Sequence, residues 1–133
     1  MILFLDFDDT LFNTKRFNEE LARVVFEKYN LGYNVFLKTH EISKSGHDAR
    51  SGYYSFPAHL DLIAEHTHEE PEKIKKAIFD FAELHTKDFI FKDVLPFLKR
   101  HKHNTLHLIT LTHTEDHYQR HKIEHSGIAP YFA

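Results

Sequence analysis

Two carboxylates two residues apart, Asp6 and Asp8, stand where the apolar run Ile2-Leu3-Phe4-Leu5 gives way to Asp6-Phe7-Asp8-Asp9-Thr10-Leu11-Phe12. Side chains alternate along a strand, so a strand ending at this point sends both carboxylates to one side. Like charges at close range repel. A Mg²⁺ ion resolves that conflict, because a hard cation prefers carboxylate oxygen. In such a setting Asp6 can attack a phosphoryl group as a nucleophile and become an aspartyl-phosphate. Asp8 can protonate the leaving alcohol and then activate water, as a general acid and base. Backbone amides from Phe7 to Thr10 would hold the phosphoryl oxygens through their dipoles. The plain alternative is a strand that ends in a solvated acidic turn. The apolar run before the carboxylates and Leu11-Phe12 after them favour the catalytic reading.

The elements that must position these groups are legible in the apolar spacing. Ile2 to Phe7 suits a strand buried on both faces of a parallel sheet. Phe17, Leu21, Val24, Val25 and Tyr29 recur at helical spacing between Lys15 and Tyr29, with Asn13 or Thr14 as the cap and Asn30-Leu31-Gly32 as the stop. Further helices are expected from Val35 to about Ser43, from Pro57 to about Glu65, and onward from Thr67 and Pro71. In the last of these Ile74, Ala77, Ile78, Phe81 and Leu84 trace one apolar face. Residues 44–52, with their Gly and Ser, read as an exposed loop. Four helices are too many for a simple crossover and point to an inserted helical module. A helix starting at Val94, with Pro96 in its first turn, then leads to a second strand over Thr105 to Thr112. A final helix runs from Glu115 to Ser126 and is closed by Gly127.

Composition narrows the class. The chain has 133 residues, about one small domain. Its net charge is −3 with Lys and Arg scattered, so nothing suggests a nucleic-acid or membrane partner. Cysteine is absent, which excludes disulfides, thiolate nucleophiles and Cys-based zinc sites. The apolar start lacks a basic lead and meets Asp6 too soon to be a secretory h-region, so a soluble cytoplasmic protein is expected.

The stretch Ile2 to Phe12 resembles the first motif of the haloacid dehalogenase (HAD) superfamily, with Asp6 at the nucleophile position and Asp8 at the acid/base position. Asp at the second position resembles the phosphatase branch, because dehalogenases lack it. The helices of residues 13–91 resemble a C1-type cap, and residues 1–12 with 92–133 resemble part of the core. Leu111-Thr112, Gln119, Lys122-Ile123, Ser126-Gly127-Ile128 and Tyr131-Phe132 resemble the region around the second motif. The resemblance implies an α/β fold: a doubly wound Rossmannoid core, of which two parallel strands are visible, bearing a helical cap. It implies Mg²⁺ held at Asp6 and Asp8, and a Thr or Ser that binds the phosphoryl group. Thr112 fits that role best, as the last strand residue and by its distance to Gln119 and Gly127; Thr110 is the alternative. The family's phosphate-neutralising Lys and later acidic motif lie beyond the Tyr-Phe position, so this chain is expected to be the N-terminal portion of such an enzyme.

The expected activity is hydrolysis of a phosphomonoester on a small phosphorylated metabolite. A phosphomutase, or a non-catalytic HAD-like remnant that binds a ligand or partner, are the competing readings. Caps of this family set substrate choice, which directs attention to Lys44, His47 and Arg50, with Tyr53 and Tyr54 just after them. Thirteen histidines are also present. His113, His117, His121 and His125 fall on one side of the last helix, where neighbouring pairs could chelate Zn²⁺ or Ni²⁺. With no acid or Cys in the pattern to complete a site, the stripe reads as a solvated helix face.

Overall fold

The computed structural model describes residues 1–27, 33–45, 54–110 and 117–133, with the side chains of 33, 34 and 42–45 left out. Two parallel strands and six α-helices make up the described chain, an α/β arrangement with a helical cap. Strand β1 (Ile2–Asp6) pairs with β2 (Thr105–Ile109) in the register Ile2 opposite Thr105 through Asp6 opposite Ile109.

Leu3, Leu5, Leu106 and Leu108 occupy one face of this sheet and pack on the core. On the other face Ile2 and Phe4 remain 61% and 64% exposed, and Ile109 46%. The expectation of a strand buried on both faces is therefore corrected: the described helices cover one face of the sheet only.

Between the strands lie α1 (Thr14–Leu21), α2 (Tyr33–Ser45), α3 (Phe56–Thr67), α4 (Pro71–His85) and α5 (Val94–Arg100); α6 (His117–Glu124) follows β2. Asn13 caps α1 by accepting the Arg16 amide at 3.2 Å, and a π-helical segment, Ala22–Phe26, continues it. Ser55 caps α3, with Pro57 in the first turn. Gly127 takes φ +80° just beyond α6, the left-handed conformation that ends a helix without a Cβ penalty. In α4, Ile74, Ile78 and Phe81 are buried as the spacing predicts, but Leu84 is 65% exposed and Ala82 takes its place in the core. Helix α2 runs through Ser45, so the backbone of Lys44 is helical rather than part of a loop.

Phenylalanine supplies the core. Phe7 stacks on Phe12 at 4.9 Å, Phe12 meets Phe17 at 5.1 Å, and Phe17 meets Phe81 and Phe89 at 5.4 and 5.5 Å. This chain of rings starts within the first motif and ends in the helices packed on it. Each such pair adds roughly 0.5–1.5 kcal/mol beyond simple area burial. Two segments connect sheet and helices, and they lie side by side. Asn13 N donates to Phe89 O at 2.8 Å, Phe91 N donates to Leu11 O at 3.0 Å, and Phe12 forms an antiparallel bridge with Ile90. Among the described residues no helix is long and apolar enough to cross a membrane.

Candidate active site

Asp6 is the last residue of β1, and its side chain is exposed at the end of the parallel sheet. Its Oδ1 accepts the Phe7 amide at 2.9 Å. The strand stops there, so Asp8 owes its position to a turn rather than to strand alternation. The Phe7 carbonyl accepts the amides of Leu11 and Phe12, both at 3.0 Å, and Asp9 N donates to Phe12 O at 2.8 Å. Closing so tight a loop needs one left-handed residue, which is Asp9 at φ +57°. Asp tolerates that conformation better than most side chains.

Asp8 is held from two directions. The Thr14 hydroxyl, from the first turn of α1, donates to Oδ1 at 2.8 Å. Gln119 Nε2, from α6, donates to Oδ2 at 2.8 Å and also to Thr110 Oγ1 at 2.8 Å. An amide nitrogen carries two hydrogens, so both bonds form at once with Nε2 as the donor. This fixes which way the Gln119 amide points. Gln119 is 6% exposed, so the link between Asp8 and Thr110 is shielded from competing water. Lys122, three residues on, is buried with Nζ 4.6 Å from the Tyr118 ring centre and 5.5 Å from that of Phe12.

Thr110 is thus joined to Asp8 through one side chain. Thr112, His47, Arg50, Tyr53 and His113 lie outside the described residues, as does the side chain of Lys44. Gln119 entered the sequence reading only as a spacing marker. Its hydrogen bond to Asp8 spans 111 residues, and no local pattern announces it.

A cleft of about 420 Å³ opens beside this constellation, lined by Asp9, Thr14, Lys15, Asn18, Glu19, Leu37, His40 and Glu41. It runs from the motif turn to α2, and of its lining only Asp9 and Thr14 belong to segments that the sequence singled out for chemistry or capping. Behind His40 is a buried polar group. His59 is fully buried, with Nε2 2.8 Å from Thr39 Oγ1 and 3.1 Å from Phe36 O. Its Nδ1 lies 2.7 Å from Tyr54 Oη. The Thr39 hydroxyl donates to Val35 O at 2.6 Å, so Nε2–H donates into Thr39 and Phe36 while Nδ1 accepts from Tyr54. Burial, and secondarily the neighbouring His40, push the His59 ring down to about 3, against the raising effect of the Phe36 carbonyl. The ring is neutral at pH 7 and serves as a polar joint between α2 and α3.

Whether Asp6 and Asp8 suit a magnesium ion is a question of donor chemistry. Each keeps carboxylate lone pairs beyond those its hydrogen bonds use, and oxygen donors of this kind fit a hard divalent cation.

No family model matches the chain, and no curated protein matches it. Among solved structures it is similar to the candidate HAD-hydrolase YfnB of Bacillus subtilis, in an orthorhombic, magnesium-bound form. The TM-score is 0.61 at 17% identity, over 98% of this chain and 61% of that one. At this identity the likeness shows the fold: the chain has a HAD-like α/β architecture with a helical cap.

Proposed function

We propose that this chain carries the nucleophile, the acid/base residue and the cap of a Mg²⁺-dependent phosphomonoester hydrolase. The observation that carries the proposal is the double anchoring of Asp8 by Thr14 and Gln119 beside an exposed Asp6 at the end of a parallel strand. Ligand sites of open α/β sheets lie at these strand ends. YfnB, similar in fold, is a candidate HAD-hydrolase bound to magnesium, which agrees with this reading.

In the proposed reaction an Asp6 carboxylate oxygen attacks phosphorus, and the P–O bond to the substrate alcohol breaks. Asp8 gives its proton to the departing alkoxide. Asp8 then takes a proton from water, whose oxygen attacks phosphorus and releases phosphate and the Asp6 carboxylate. Mg²⁺, held by the Asp6 carboxylate and by an oxygen of Asp8 other than the one that carries the proton, would neutralise charge on the phosphoryl oxygens. Thr112 is the proposed phosphoryl-binding hydroxyl, while Thr110 orients Gln119. The cleft between the motif turn and α2 would take the leaving group, with Lys15 and His40 joining Lys44, His47 and Arg50 as candidates for specificity. Residues 13–91 are the proposed cap and 1–12 with 92–133 the proposed core portion. The adjacent segments 11–13 and 89–91 would be the hinge between them.

The chain spans 61% of YfnB, so the activity of the whole protein belongs to the proposal. Its test is hydrolysis of p-nitrophenyl phosphate and a panel of sugar and nucleotide monophosphates. Mg²⁺-dependent turnover that vanishes in Asp6→Asn and falls sharply in Asp8→Asn supports it. Turnover unchanged in Asp6→Asn, or indifferent to chelation, contradicts it.

A further inference from the structure

One face of α6 does something the sequence pattern alone did not disclose. His121 and His125, four residues apart, have ring centres 4.3 Å apart. Glu83 reaches the same place from the last turn of α4, on a different segment of the chain. One ligand atom from each of Glu83, His121 and His125 falls within a 4.8 Å group. Glu83 Oε1 is 3.9 Å from His125 Nε2. His117 is exposed one turn earlier and is not part of this group.

The surroundings resemble those of a metal site in a second respect. His121 Nε2 lies 3.0 Å from the Phe79 carbonyl, and His125 Nδ1 lies 2.9 Å from the His121 carbonyl. A backbone carbonyl accepts only, so each bond puts the ring proton on that nitrogen. The lone pairs are left on His121 Nδ1 and His125 Nε2, and the second of these faces Glu83. Imidazoles that ligate metals are commonly fixed in tautomer and orientation by such carbonyl acceptors. The Phe79 ring also meets His121 at 4.7 Å, tilted by 35°, which restricts the imidazole further.

We propose that Glu83, His121 and His125 bind one Zn²⁺ ion and fasten α4 to α6. Two imidazoles and a carboxylate suit this borderline cation, with water in the fourth position. Zinc bonds of about 2.0–2.2 Å require the donor atoms to close in from their present spacing. Glu83 can supply that movement, because its side chain is 57% exposed and sits at the end of a helix. The site differs in kind from the Asp6–Asp8 pair, which offers only oxygen. Since α4 belongs to the helical module and α6 follows β2, bound zinc would restrain one against the other.

The test is calorimetric titration of the intact chain with Zn²⁺, accompanied by the visible absorption of Co²⁺ as a substitute. The expected result is one tight site per chain and a rise in melting temperature on adding zinc. Glu83→Gln and His125→Gln should each weaken that site at least tenfold, and His117→Gln should leave it unchanged. Circular dichroism of the metal-free variants is the check that they remain folded, as the exposure of Glu83 leads us to expect. Binding that survives Glu83→Gln and His125→Gln, or that weakens equally in His117→Gln, would overturn the proposal and leave only adventitious chelation by a histidine-rich chain.

Discussion

Asp8 is the residue on which the site converges. Its two anchors come from opposite ends of the chain, Thr14 in the first helix and Gln119 in the last. An acid/base group acts only when its proton lies within reach of the leaving oxygen, and small misplacements are costly. Asp8→Asn should lower turnover by roughly 10²–10⁴-fold, the usual contribution of such a group. Gln119→Ala should lower kcat by up to about 10²-fold through misplacement of Asp8, while the attack by Asp6 persists. Steady-state kinetics on both variants checks this, and a Gln119→Ala enzyme with unchanged kcat would remove Gln119 from the account. Thr110→Val tests the division of labour between the threonines: it should act like Gln119→Ala, whereas Thr112→Val should raise KM for the phosphate ester as well.

At the scale of elements, the aromatic chain from Phe7 to Phe89 and the polar joint at His59 do different work. Phe17 is fully buried among Phe12, Phe81 and Phe89, so Phe17→Ala should cost about 3–5 kcal/mol in denaturant unfolding. Phe4→Ser on the open sheet face should change stability by less than about 0.5 kcal/mol, because Phe4 is already largely in water. His59 makes stability depend on pH. Its folded value, about 3, lies below the unfolded value near 6.5, so the unfolded chain takes up the proton first as pH falls. The contribution is fully present above about 6.5 and is lost progressively toward 3, at up to about 1.4 kcal/mol per pH unit. Unfolding midpoints measured between pH 7 and 4.5 should fall less steeply in His59→Gln than in the parent chain.

Across the whole molecule, what the sequence disclosed and what it withheld follow from distance along the chain. The first motif was readable because Ile2 to Phe12 is contiguous, and apolar residues followed by carboxylates encode a strand end locally. Helices α1, α3 and α4 were readable from Asn13, Pro57, Pro71 and their apolar spacing. Gln119, the cleft between Lys15 and His40, and the approach of Glu83 to His125 were not readable. Each joins residues that only the tertiary fold brings together. The exposed face of β1 was misjudged for a related reason. An apolar run states that a strand prefers burial, but coverage depends on which other elements reach it. Leu84 and Ala82 likewise exchanged places within a face whose period was correct. The central claim, that Asp6 is a phosphoryl-accepting nucleophile, is tested most directly by mass spectrometry of the protein treated with acetyl phosphate or beryllofluoride and Mg²⁺. The account predicts a single adduct that maps to Asp6, is absent in Asp6→Asn and, with acetyl phosphate, persists longer in Asp8→Asn. An adduct on another residue, or one still formed by Asp6→Asn, would contradict it.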